Sequence, residues 1–325
     1  GAELLWRTGL SRAARTARDR FTIVTFHRVL PDPSASPLPH LAVTPDFLRS
    51  ALSFFGEHYT CLPLARASRA FFAGERPERP LLAVTFDDGR KDNFLHGLPA
   101  LRSTGLRATF FVPAGHVEDE SPLWHDELGW IARHLVRKER AEVLTKHFAE
   151  VSLDGEVVHA VVQAAKEMGS EPRRRLLATL RSEASDLRLP SWEGPMPWSE
   201  LRQLAREGHE IGSHSMSHDV LLDRLGADQQ TEVAASRRKI EEETGATVES
   251  FCFPTGEYDE TTLAEIRAAG YRCAATTLWG SNTRETDPFE LRRVDVQGER
   301  NQDARGEAHE AVLAWRLSRL PGTPR

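Results

Sequence analysis

Residues 81–89 read LLAVTFDDG, an apolar run rich in β-formers that stops abruptly on two carboxylates and a glycine. A near copy, FTIVTFHRV at 21–29, stops on His27. Neither run is long enough to be a core helix, and each reads as a buried β-strand with a polar residue at its C-terminal end. Five more short runs follow: RATFFVP (107–113), HEIGSHS (209–215), ESFCFPTG (249–256), YRCAATT (271–277) and ELRRVDV (290–296). Helical patterns with glycine stops lie between most of them, as in SELRQLAREG and DETTLAEIRAAG. Strand–helix alternation of this kind predicts a parallel sheet, and seven units predict an α/β fold closed, or nearly closed, into a (β/α)7 barrel.

In such barrels the chemistry gathers at the C-terminal ends of the strands. Here those ends carry His27, Asp87 and Asp88, His214 and His218, and the Pro-Thr-Gly turn at 254–256. Neighbouring strand residues point to opposite faces, so Asp87 and Asp88 can share one centre only if the chain leaves the sheet there, which Gly89 permits. Two adjacent carboxylates stay ionised together when a cation lies close by. The segment GHEIGSHSMSH supplies two imidazoles four residues apart, His214 and His218, within reach of one ion. Two histidines and one carboxylate leave a position open, the pattern of a catalytic divalent site. Zinc is the expected ion, with cobalt or nickel as substitutes. One aspartate is then a ligand and the other a general base. His209, at the start of its strand, reads as structural.

Residues 118–195 break the rhythm with helical stretches and read as an insertion into a barrel formed by 21–117 and 196–297; residues 298–325 read as a C-terminal helix and tail. The first 20 residues pattern as an amphipathic helix with an arginine face, expected to dock on the protein's own body or to touch a membrane surface. The chain has 325 residues, a formal charge of −6 and no basic block, which argues against a nucleic-acid partner. No run is long enough for a transmembrane helix. Three scattered cysteines without CxxC spacing suit a reducing compartment. A cytoplasmic or membrane-peripheral location is expected, with room for a removed targeting segment.

The motifs TFDDG, HSMSH and FCFPTG resemble those of the polysaccharide deacetylase family, also called the NodB-homology family or carbohydrate esterase family four. The similarity covers roughly 20–118 and 195–297. It implies a distorted seven-stranded barrel and a metal-dependent hydrolase that removes acetyl groups from N-acetylhexosamine units of a glycan; some members cleave O-acetyl esters. It also implies Asp87 as base, Asp88, His214 and His218 as metal ligands, and the Thr255 backbone N–H as an oxyanion donor. Two departures stand out. Cys252 occupies the place of an arginine that steadies the base in the family, a role open to Arg292 or Arg293, for which a barrel-wall or surface place is equally expected. The last strand, LRRVDV, lacks the family's acid histidine. The exopolysaccharide deacetylase branch has a permuted motif order, and similarity to it makes His27 the acid that protonates the leaving amine. Pro254 and Trp279 are expected to line the sugar pocket, whereas Trp124, His125 and Asp126 read as helix packing more than sugar contacts. The rival readings are a metal-independent amidohydrolase acting on a small non-sugar C–N bond, and a non-catalytic glycan-binding module.

Overall fold

A computed structural model describes residues 19–148, 151, 156–223 and 227–318. Nearly all of the amphipathic segment expected over 1–20, and with it any membrane contact, lies outside these residues. Seven parallel strands form the barrel: β1 (Phe21–Phe26), β2 (Leu81–Phe86), β3 (Thr109–Val112), β4 (Glu210–Ser213), β5 (Ser250–Cys252), β6 (Cys273–Trp279) and β7 (Leu291–Asp295). They pair in chain order, and β1 closes the ring by pairing with both β7 and β2. The β1–β2 register runs residue for residue from Phe21↔Leu81 to Phe26↔Phe86. The two look-alike stretches are therefore adjacent staves ending at one level.

Strands β1, β2, β3 and β5 are buried along their whole length on both faces, which explains their apolar runs. Ile23, Ala83, Phe111 and Cys252 belong to an inner cluster, and the ring of Phe71 packs 5.8 Å from that of Phe21. Val24, Phe26, Val84 and Phe86 belong to the larger cluster shared with the surrounding helices. The Phe86 ring stacks on Phe26 and Phe110 with centroids 5.6 and 5.0 Å apart. Helices α1 (Pro45–His58) and α2 (Leu64–Phe72) link β1 to β2, and α3 (Leu98–Thr104) links β2 to β3.

Between β3 and β4 come α4 (Trp124–Arg137), α5 (Val157–Lys166), α6 (Ser170–Glu183) and α7 (Trp198–Arg206). The first three share a core of their own, in which Leu128, Ile131, Val161 and Leu180 meet Leu38 from the loop after β1. Helices α8 (Ser236–Thr244) and α9 (Glu260–Ala268) follow β4 and β5, and α10 (Glu310–Ser318) follows the barrel. No helix among the described residues is long and apolar enough to cross a membrane.

Candidate active site

The chain does leave the sheet after Phe86. Asp88 has φ +75° and Gly89 φ +59°, a left-handed pair that rotates Asp88 towards the same centre as Asp87. Ser215, His218 and Thr255 also have positive φ, so among the described residues four of the six non-glycine residues in that region sit at strand-end turns. Such backbone strain, about 1–3 kcal/mol per residue, persists only where surrounding contacts hold it. Glu232 supplies one such contact, accepting the Met216 and Ser217 N–H groups at 2.9 Å and fixing the loop that carries His218. At the turn after β5, Gly256 has φ +84°, and a Cβ there would lie 1.9 Å from the Thr277 hydroxyl. No other residue fits.

Asp88 Oδ1 lies 3.5 Å from His214 Nε2 and 3.1 Å from His218 Nε2, all three side chains being buried. His214 Nδ1 bonds to the Cys252 carbonyl oxygen at 2.8 Å, so the tautomer that donates there leaves Nε2 with its lone pair towards Asp88. Burial holds His218 down at about 4, in the neutral form a ligand needs. The other Asp88 oxygen accepts from Arg90 Nη2 at 2.7 Å and Nε at 3.1 Å. The donor set fits a divalent cation: Asp88, His214 and His218, all buried, each offer one ligand atom, and these atoms lie within 4.8 Å of one another. Around them, buried carboxylates (Asp87, Asp88, Asp92, Asp126, Glu193) face the guanidiniums of Arg28, Arg90 and Arg293. Asp92, the carboxyl whose burial is least offset, is pushed up to about 6.

Asp87 lies beside this trio. Burial alone would raise its pKa, but the Arg293 guanidinium, 2.7 Å from Oδ1, together with His27 and His214 holds it below the usual carboxylate value. Arg293 is itself fixed inside the barrel, its Nη1 donating to Thr25 Oγ1 at 3.0 Å and its Nε to the Thr276 carbonyl at 2.8 Å. His27 Nε2 stands 3.9 Å from the other Asp87 oxygen, with 26% of its side chain exposed. These groups line one open cavity of about 220 Å³, walled further by Leu38, Leu41, Trp124, Phe253 and Thr255.

The family model for polysaccharide deacetylases matches residues 74–274. The chain belongs to the polysaccharide deacetylase family. A curated relative from Bacillus subtilis, the polysaccharide deacetylase YxkH, is 21% identical over 238 residues; the match takes in 73% of this chain and 59% of YxkH. Among solved structures, the Streptococcus pyogenes deacetylase PplD in complex with acetate superposes with a TM-score of 0.61 at 18% identity, covering 90% of this chain and 96% of that one. IcaB from Ammonifex degensii gives 0.55 at 18% identity, covering 86% and 93%. At these identities the structural likeness speaks for the barrel fold alone.

Within this deacetylase-family barrel, His27, Asp87, Asp88, His214, His218, Thr255 and Arg293 share the cavity. Pro254 and Trp279 are not among its lining residues. Pro254 is buried in the turn behind Thr255, and Trp279 packs against the outer core at the end of β6. The aromatic wall is instead Trp124 with Phe253; the Trp124 indole N–H is buried with no partner among the described residues, and the Arg173 guanidinium lies 4.3 Å from its ring centroid. His125 lines the cavity too, 2.9 Å from Arg90 Nη2, and burial drives it well below the normal imidazole value, hence neutral. The Thr255 hydroxyl is likewise buried, with no partner among the described residues. His209, away from the cavity, accepts the Ala108 N–H at 3.1 Å.

A layer of buried charge under the cavity has no counterpart in the sequence reading. Arg28 contacts Asp92 at 3.1 Å, Glu193 at 2.6 Å and Asp126 at 3.1 Å. Arg90 pairs with Asp126 as well as Asp88. The strand ends are thereby tied to α4 and to the segment just before α7.

Proposed function

We propose that this protein is a metal-dependent deacetylase that hydrolyses the acetamido group of N-acetylhexosamine units in a glycan. The observation that carries the reading is the opening of His27, Asp87 and the Asp88–His214–His218 trio on a single cavity with an aromatic wall. Asp88, His214 and His218 would hold the ion, with zinc suited to two imidazoles and a carboxylate, and it would polarise the acetyl carbonyl and lower the pKa of a water. Asp87, kept ionised by Arg293, takes the proton of the water as oxygen adds to the carbonyl carbon. The Thr255 turn faces the developing oxyanion, where a backbone N–H stabilises charge at no reorganisation cost. The C–N bond then breaks, and His27 supplies the proton that the amine requires to leave, yielding acetate and a free amino sugar. Trp124 offers an indole face and an N–H to the sugar.

The test is acetate release from N-acetylhexosamine oligosaccharides by protein loaded with zinc, cobalt or nickel, alongside metal analysis. Wild-type protein should carry one equivalent of metal, and Asp88→Ala less than a tenth of that. Glycan affinity with no acetate released from any acetylated sugar would replace the enzyme reading with a binding module. His27→Ala should lower kcat about 10²-fold or more with metal content unchanged, since general acids contribute about 10²–10⁴. Loss of the metal in that variant would assign His27 to the ion instead.

A further inference from the structure

We propose that Lys166 makes this cavity selective for acetylated glycans that carry an anionic group beside the acetamido sugar. The proposal rests on the deacetylase reading of the cavity and names the class of substrate it takes. Helix α5 runs along one wall and contributes Val162, Gln163 and Lys166, while Val157, Val161 and Ala165 are buried in the core of the insertion. The helix is anchored, so its last turn presents Lys166 from a fixed place.

Among the described residues, the carboxylates lining the cavity are Asp87 and Asp88, and each is already held by an arginine, at 2.7 Å in both cases. Lys166 has no ion pair among these residues. On the neighbouring helix α6, by contrast, Arg173 and Arg174 contact Asp219. The other lysine or arginine lining the cavity, Arg293, is paired with Asp87, so among the described residues Lys166 is the cavity-lining cation without a carboxylate partner.

A neutral acetylated polymer gives that ammonium nothing to bind. A neighbour that has already been deacetylated carries an ammonium of its own, which Lys166 repels. An anion on the adjacent sugar is attracted instead, through a charge-assisted hydrogen bond. The carboxylate of a hexuronic acid and the phosphate of a sugar phosphate share this chemistry.

The experiment measures acetate-release kinetics of the metal-loaded protein at low ionic strength. The substrates are three tetrasaccharides: a neutral N-acetylhexosamine one, one alternating N-acetylhexosamine with hexuronate, and one alternating N-acetylhexosamine with a phosphorylated hexose. At least one acidic substrate should have a KM about tenfold below that of the neutral one, and the better acidic substrate identifies the source of the anion. Lys166→Gln should reduce the acidic-to-neutral preference about tenfold, Lys166→Arg should keep it and Lys166→Glu should invert it. A structural role for Lys166 would change kcat on all substrates alike and leave the ratio in place. Equal KM values in the wild type, or a ratio unmoved by Lys166→Gln, overturn the proposal while the deacetylase reading stands. If no substrate releases acetate, the deacetylase reading fails, and the same preference is then read from calorimetric binding of the three ligands.

Discussion

Asp87→Asn should lower kcat for acetate release about 10³-fold or more while the metal stays bound. The asparagine keeps the size of the side chain and can still accept the Arg293 hydrogen bond, formed at 2.7 Å in the native protein. It has no basic oxygen, and the water loses its proton acceptor, a contribution of about 10²–10⁴. The trio proposed to hold the metal, Asp88, His214 and His218, is untouched. Neutralising Asp87 also leaves Arg293 buried without its counter-charge, which costs stability, so metal content and the unfolding midpoint must be measured beside kcat. A fall in kcat of less than tenfold, in folded and metal-loaded protein, would remove Asp87 from the role of base.

Arg28→Met should destabilise the fold by about 3–5 kcal/mol, the usual cost of removing one partner from a buried ion pair. Arg28 is fully buried, and its guanidinium faces Asp92, Asp126 and Glu193. Methionine fills much of the space but leaves three carboxylates facing one another, with Arg90 as the nearest cation. At about 1.5 °C per kcal/mol for a chain of this size, Tm should fall by roughly 4–8 °C. Combining Arg28→Met with Asp92→Asn should recover part of the loss, because the two share one interaction. Urea unfolding checks both, and a loss below about 1 kcal/mol in the single variant would mean that water or relaxation compensates the buried charges.

The barrel was legible because β1 and β2 announce themselves twice, by an apolar run buried on both faces and by the polar residue that follows it. Asp88 and the two histidines were legible for a related reason: their spacing only makes sense if the chain turns, and positive φ at Asp88 and His218 is that turn. His27 could be linked to the last strand because β1 closes the ring beside β7, yet its place next to Asp87 comes from the pairing of β1 with β2. Trp279 follows a barrel strand, yet strand proximity does not report which way an indole packs: Trp279 packs on the core and Trp124 lines the cavity. The Arg28–Arg90 layer left no trace in periodicity or motif. Its members come from segments 36 to 165 residues apart, and only the fold makes them neighbours.

The residue-for-residue register between FTIVTF and LLAVTF gives the site a built-in ruler. The gap between His27 and Asp87 is graduated by the hydrogen-bond ladder of two adjacent staves, set about 4.7–4.9 Å apart. Repacking the helices outside the barrel leaves that graduation unchanged. Only a slip of one strand along the other would alter it, and a slip of a single residue would turn every side chain of the strand to the wrong face.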